Sequence, residues 1–356
     1  MNPDKNKRIR FRHPDALDQS SGASEPVEQP QYSVKRSAKI YAPRPPHKHL
    51  LRRFIVFLLV VSVVAALVYG AYIVSIVAKI STNSWQFGPL LADSSGRTNV
   101  LVLGVGDPGH AGEQLTDTMM LLSLDAGTQK AAQVSLPRDT RVQIPGFGFS
   151  KINAANAYGG VNLAEQTVSN TLEIPIHYYL KTNFSGLKNL VDAVGGVDVD
   201  VKERLRDPEY PCDADQTKSC GLDIRAGIQH MDGTTALQYV RCRKGTCGND
   251  FGRAARQQEL IRLLKPKVID PHLLLHPMKL TKIVDAGQKG IQTDLGLIQL
   301  LSLATSLRSD GNQTNNLVLS TSPGGYLRSD PQGSSDLLPI GGDFSAISKR
   351  VKSIFQ

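Results

Sequence analysis

NVLVLGVGDPGHAGEQLTDTMMLLSLDAGTQKAAQVSLPRD, residues 99–139, holds three short apolar runs, at 99–105, 119–124 and 131–136, each bounded by Gly, Asp, Lys or Pro. Runs of that length between turn residues read as buried strands rather than helices, and the short connections predict that they are neighbours in one sheet. Outward from this core, helical patterns are expected at 161–172 and at 251–265. A third is expected at 184–194, between the capping candidate Asn183 and the stop Gly195-Gly196. Val197–Val201 alternates apolar with acidic and reads as a strand. Asp294 is the expected cap of a helix in LGLIQLLSLATSL (295–307), followed by a strand-like LVLSTS (317–322) and an amphipathic end at 344–355. Strands alternating with helices predict an α/β fold, a layered sheet with flanking helices, in one domain over 97–356.

The chain has 356 residues and a formal charge of +9, from 41 basic against 32 acidic side chains. Residues 1–53 hold 12 of the basic and 5 of the acidic groups, so the other 303 residues carry 29 against 27, or +2. That distribution argues against a basic nucleic-acid-binding domain. The segment 1–53 is rich in Pro, Ser and Gln without an apolar period, and is expected to be a disordered tail. Phe54 to Ala78 follows with no Asp, Glu, Lys, Arg or His, longer than the roughly 20 residues a helix needs to cross a bilayer core. It reads as a transmembrane signal-anchor, because the leader before it is too long for a cleaved signal peptide. Residues 79–96 are left as a juxtamembrane linker. Arg44, Lys48, Arg52 and Arg53 precede the span and Lys79 alone follows closely, which predicts a single-pass cell-membrane protein with a cytoplasmic N-terminus and an extracytoplasmic domain. Membrane lipid is thus an expected partner, and nucleic acid is not.

Cys212, Cys220, Cys242 and Cys247 all fall in the part expected outside, an even number in a disulfide-permissive compartment. Zinc is the rival reading, but the spacing lacks a histidine at ligand distance. Three pairings are open, of which the local loops Cys212 to Cys220 and Cys242 to Cys247 are the expected ones.

Three stretches carry residues suited to chemistry. Gly104-Val105-Gly106-Asp107-Pro108-Gly109 ends the first strand and Asp117 begins the second, so the two carboxylates together could hold a hard cation such as Mg²⁺ against phosphate oxygens, whereas each Asp alone reads as a turn or cap residue. No Lys-Ser/Thr of a P-loop follows. Leu136-Pro137-Arg138-Asp139-Thr140 puts Arg138 at the carboxyl end of the third strand, with Lys151, Asn153 and Asn156 in the polar stretch SKINAANAYGG (150–160). The densest is 239–258, with Arg241 and Arg243 expected on an extended segment and Arg253, Arg256 and Gln257 on one face of a helix's opening turn. A helix start already favours anions, so guanidinium groups gathered there point to a bound polyanion such as pyrophosphate. His272 and His276 are flanked by Pro271 and Pro277, which speaks against a helical metal pair, and no G-x-S-x-G occurs.

Read in order, residues 99–124, VSLPRDTRVQIPGFGFSKINAANAYGG (134–160), FSGLKNLVDAVGGVDVDV (184–201), AGIQHMDGTTALQYVRCR (226–243) and NDFGRAARQQELI (249–261) resemble the motifs of the LytR-CpsA-Psr family, with SDLLPIGGDFSAI (335–347) similar to its closing segment. The resemblance implies a membrane-anchored phosphotransferase that moves a glycopolymer from an undecaprenyl-pyrophosphate carrier onto peptidoglycan through a phosphodiester. By matching motifs it implies Mg²⁺ or Mn²⁺ held by Asp107 and Asp117. It also implies catalytic roles for Asp117, Arg138 and Arg253, and phosphate or head-group binding by Arg138, Arg241, Arg243, Arg253 and Gln257, with Lys151 and Arg256 in support. The sequence departs from the family at Gly-Val-Gly-Asp (104–107), where members show Gly-x-Asp or a glycine-rich run, and the cysteines lie outside the family's core pattern.

A non-catalytic, membrane-anchored binder of polyprenyl-pyrophosphate or cell-wall glycan is the alternative from a different class. Asp117 beside the arginines favours chemistry, since an anion receptor gains nothing from an added carboxylate without a metal. A regulator acting through the tail is disfavoured, because the tail has no folded DNA-binding pattern.

Overall fold

The computed structural model describes residues 48–354 except 80, 83–87, 110–111, 126, 129, 213–216, 269–275, 289 and 308–313. The expected tail, 1–53, lies outside the described residues as far as position 47. In chain order the elements are α1 (Lys48–Val77), β1 (Arg97–Val105), β2 (Thr116–Asp125), β3 (Lys130–Ser135), β4 (Arg141–Ile144) and β5 (Gly148–Lys151). Then come α2 (Ala154–Leu172), β6 (Tyr178–Thr182), α3 (Phe184–Ala193), β7 (Val197–Val201), β8 (Leu205–Asp207), β9 (Leu222–Ile224), β10 (Gly227–Met231), α4 (Gly233–Arg241) and α5 (Asp250–Val268). The last are α6 (Pro277–Gly287), β11 (Ile291–Thr293), α7 (Leu297–Leu307), β12 (Thr314–Val318), β13 (Leu327–Ser329), β14 (Leu337–Pro339) and α8 (Ser345–Lys352).

A six-stranded mixed sheet runs β11-β6-β1-β2-β3-β12, so the three apolar runs are neighbours as expected. β2 is antiparallel to both β1 and β3, while β6 is parallel to β1. The start of β2 therefore lies at the same edge as the ends of β1, β3 and β6. Side-chain alternation gives the sheet two apolar faces. Leu101, Leu103, Met119, Leu121 and Val134 are buried with Ala164, Val168 and Leu172 of α2 and Ile347 and Val351 of α8. Val100 and Tyr178 pack on the other face with Leu295, Leu300 and Leu303. A second core joins α3, α4 and α5 to β7 and β10 through Val191, Val199, Met231, Ala236, Leu260 and Leu264.

Several boundaries differ from expectation. α2 begins at Ala154, inside the stretch read as a polar loop, and is kinked where Gly159 and Gly160 leave helical geometry; Asn156 is spent on the Gln114 carbonyl at 2.7 Å. Asp294 does not cap α7: its carboxylate accepts from the Tyr179 N–H at 2.9 Å. α1 is long and apolar enough to cross a membrane over Leu51–Ile76, yet Ile73, Val74 and Ile76 are buried against protein. Tyr72 Oη lies 3.0 Å from Thr281 Oγ1, and Lys79 pairs with Asp285 at 2.8 Å. The segment left as a linker is also partly folded, because Thr82 N–H donates to Thr293 O and Leu91 N–H to Tyr178 Oη, each at 2.9 Å.

Candidate phosphate-binding site

The edge shared by β1, β2, β3 and β6 carries the site. Gly104 pairs with Thr118 and Val105 with Thr116, which leaves Asp117 as the extra residue of a bulge. Bulges re-aim a side chain at the rim of a sheet. Gly104 is required, because a Cβ there would stand 2.9 Å from Thr118 Cβ. Pro137 ends β3, and Arg138 Nη1 donates to Asp117 Oδ1 at 2.6 Å. Burial works against the Arg138 charge, but the Asp117 carboxylate outweighs it and holds the guanidinium pKa above its usual value. Arg138 Nε is buried without a hydrogen-bond acceptor among the described residues, and the nearest Asp139 oxygen is 3.6 Å away. A buried orphan donor beside a half-exposed carboxylate fits an oxygen of a bound ligand. Asp139 also accepts from Lys151 Nζ at 2.8 Å, and Ser335 Oγ lies 2.6 Å from the same nitrogen.

From the other side comes the start of α5. Asn249 caps it, accepting the Phe251 N–H at 3.0 Å through its side chain. Arg253, with a side chain only 11% exposed, reaches Asp250 Oδ1 at 3.0 Å and the Asp117 carbonyl at 3.3 Å. Burial lowers its guanidinium pKa, Asp250 and Asp117 oppose that, and Arg138 and Arg243 add to it. Three guanidinium groups thus share one electrostatic neighbourhood with two carboxylates, an arrangement suited to a multiply charged anion.

The loop before α5 is tightly built. Cys242 is bonded to Cys247 and Cys212 to Cys220, the local pairing expected. Asp207, buried, accepts the N–H groups of Arg243 and Lys244, both at 3.0 Å. Arg256 spends its guanidinium on the carbonyls of Tyr239 at 2.9 Å, Cys247 at 2.7 Å and Cys242. Gly252 passes close beneath, where a Cβ would meet Cys247 O at 2.7 Å.

Asp117, Arg138, Arg253 and Arg243 are therefore brought together. Arg256 is not a ligand-facing group: its donors satisfy backbone acceptors, because α5 turns that position into the protein. Asp107 is also diverted from the expected metal pair, since its carboxylate accepts the Ser185 N–H and hydroxyl, both at 2.9 Å, on the first turn of α3. Arg241 is the last residue of α4 rather than part of an extended segment, and its guanidinium stacks 4.2 Å from the Phe184 ring centroid. Lys151 stands at the border through Asp139, and Gln257 is half-buried. Asp139 and Gln258 have no role legible in the sequence alone. The last is buried and donates to Ser135 Oγ at 2.9 Å, tying α5 to β3; two adjacent Gln carry no signal as to which faces inward. Among the described residues, the one cluster of three metal-ligating groups is Asp207, Cys242 and Cys247, whose sulfurs are already bonded to each other. A divalent cation would instead find Asp117, whose Oδ2 makes no hydrogen bond among the described residues. One carboxylate completed by phosphate oxygens and water is an ordinary Mg²⁺ environment.

The sequence model of the LytR_cpsA_psr family matches residues 75–330. The polyisoprenyl-teichoic acid–peptidoglycan teichoic acid transferase TagV of Bacillus subtilis is 32% identical over 209 residues, 58% of this chain and 51% of TagV. TagU of Oceanobacillus iheyensis, a transferase of the same name, is 33% identical over 231 residues, 62% of this chain and 66% of TagU. The solved structure of TagT bound to LI-WTA superposes with a TM-score of 0.57 and 26% identity, over 78% of this chain and 96% of that one. The chain thus spans about half of TagV and just under two thirds of TagU. A family match across most of the sequence, covering the bulged Asp117, Arg138 and the start of α5, places this chain in the LytR-CpsA-Psr family.

Proposed function

We propose that this protein is a membrane-anchored phosphotransferase that moves a glycopolymer from an undecaprenyl-pyrophosphate carrier onto peptidoglycan through a phosphodiester. The observation that carries this reading is the Asp117–Arg138–Arg253 constellation, a buried orphan N–H among guanidinium groups at one sheet edge. In the transfer, an acceptor hydroxyl oxygen bonds to the sugar-side phosphorus, the bridging P–O bond breaks, polyprenyl phosphate leaves and the hydroxyl proton is released. Phosphoryl transfer needs positioning and charge neutralisation above all. Arg138 and Arg253 supply both through fixed forks of donors, and Asp117 holds Arg138 in place. Mg²⁺ or Mn²⁺ on Asp117 would add neutralising charge on the phosphate oxygens. Helix α1 keeps the domain beside a lipid-borne donor, with the basic tail in the cytoplasm and the domain outside.

The test uses full-length protein in nanodiscs with a synthetic prenyl-pyrophosphate glycan and peptidoglycan, with and without Mg²⁺. Arg253→Ala removes charge-assisted hydrogen bonds worth roughly 1.5 to 3 kcal/mol each, so transfer is expected to fall at least about tenfold. Arg253→Lys restores only part, because a point charge cannot reproduce the fork. Wild-type protein that binds the donor tightly yet never transfers it, with any divalent cation, leaves the non-catalytic binder as the answer. An Ala form that keeps affinity and rate but melts lower makes Arg253 a structural residue.

A further inference from the structure

Beside the phosphate-binding cluster, at the ends of β1 and β6, lies a cavity of about 190 Å³ whose polar lining includes Lys181, Gln114, Asn183, Gln288, Gln292 and Glu113. Its character differs from that of the arginine site. Carboxamides, which donate and accept at once, surround a single ammonium. Glu113 already accepts the Gly109 N–H at 2.5 Å, and Asn183 Oδ1 caps α3 through the Gly186 N–H at 2.8 Å. Among the described residues, Lys181 has one hydrogen-bond contact, a long one to Gln114 Oε1 at 3.4 Å. Burial alone lowers its ammonium pKa, with no carboxylate among the described residues opposing the shift. A half-buried cation without a counter-ion is costly, and is retained where an anion arrives from outside.

The register fixes where this cavity stands. Lys181 is opposite Gln292 on β11 and Leu103 on β1, which puts β1 between it and β2. At about 4.8 Å per strand, the cavity lies roughly 10 Å along the sheet edge from Asp117. A short saccharide bridges that separation.

We propose that this cavity is a subsite for a sugar unit carrying an acidic group, with Lys181 pairing with the anion and Gln114, Gln288 and Gln292 hydrogen-bonding the hydroxyls. The inference rests on the transferase reading and assigns it a specificity determinant separate from the pyrophosphate groups. The acidic group is either a phosphate of the donor glycopolymer or a carboxylate of the peptidoglycan acceptor, and the shared chemistry is an anion on a sugar.

Full-length wild type, Lys181→Gln and Lys181→Arg in nanodiscs separate these. Four probes are titrated: sugar-free undecaprenyl pyrophosphate, a prenyl-pyrophosphoryl disaccharide without further charge, the same disaccharide bearing a glycerol phosphate, and a soluble peptidoglycan fragment with free carboxylates. Removing the charge of Lys181 should weaken one of the two acidic probes by roughly tenfold, as for a lost charge-assisted hydrogen bond. Lys181→Arg should recover most of that affinity, and the first two probes should bind as before. Which acidic probe loses affinity identifies the source. Equal binding of both acidic probes by Lys181→Gln overturns the subsite, and so does an equal loss for sugar-free pyrophosphate, which would make Lys181 part of the phosphate site. Wild type that binds an acidic sugar but not undecaprenyl pyrophosphate overturns the transferase reading while leaving the subsite standing.

Discussion

Residues that look alike in the sequence do opposite work. Arg253 and Arg256 sit one helical turn apart, yet one faces Asp117 and the other holds three backbone carbonyls. Arg256→Met should therefore lower the melting temperature strongly. It leaves three backbone carbonyls without their donor, at roughly 1 to 3 kcal/mol for each acceptor left buried and unsatisfied. Thermal denaturation checks this, and a variant that melts like wild type but loses donor affinity would return Arg256 to the ligand site. Glu165 on α2 offers a second test. Burial first, and then the neighbouring Asp294 carboxylate, push its pKa up to about 7 from an ordinary value near 4.5. A raised carboxyl pKa means the folded state disfavours the charged form, so its contribution to stability falls as pH rises from 4.5 through 7. Glu165→Gln should thus melt like wild type at acidic pH and higher than wild type at alkaline pH. With solvent screening the gain is on the order of 1 kcal/mol. Melting curves at both ends of this range decide it; a pH-independent difference sinks the assignment.

Elements were legible where one local rule acted alone. β1, β2 and β3 follow from apolar runs between turn residues, and α3 from Asn183, whose side chain accepts the Gly186 N–H. Partnership was not legible. Asp107 reads as a ligand beside a glycine turn, but its acceptor role is set by Ser185, 78 residues away. Asp294 reads as a cap, but β6 claims it through Tyr179. The start of α2 was hidden because Asn153 and Asn156 resemble loop residues until Asn156 is seen to donate to the Gln114 carbonyl. For the site, Asp117, Arg138 and Arg253 were recoverable because strand ends and a helix start place them independently of distant partners. The loop between α4 and α5 combines both kinds of information, since cysteine parity predicted the Cys242–Cys247 bond while Asp207 comes from β8. Alkylation and mass spectrometry of the oxidised protein should find no free thiol among the four cysteines and a peptide linking Cys242 to Cys247. Bound zinc in place of the bridges would refute the pairing.

For the whole molecule, orientation across the membrane decides whether the site meets its proposed substrates. The helix over Leu51–Ile76 is long and apolar enough to cross a membrane. The charge asymmetry around it, Arg44, Lys48, Arg52 and Arg53 on one side against Lys79 on the other, favours a cytoplasmic N-terminus. Protease added to intact spheroplasts should therefore digest the chain beyond residue 80 and spare an epitope fused to the N-terminus; lysis should expose both. Replacing Arg44, Lys48, Arg52 and Arg53 by Gln removes the bias, and a mixed orientation is then expected, seen as partial protection of each end. The same experiment bears on the cysteines, because disulfides persist in an oxidising compartment. Molecules inverted by the charge substitutions should carry free thiols, which a membrane-permeant alkylating reagent labels and an impermeant one does not. If the wild-type domain is protected in intact spheroplasts while the N-terminal epitope is cut, the arginine site faces the cytoplasm, away from peptidoglycan, and the proposed transfer cannot occur there.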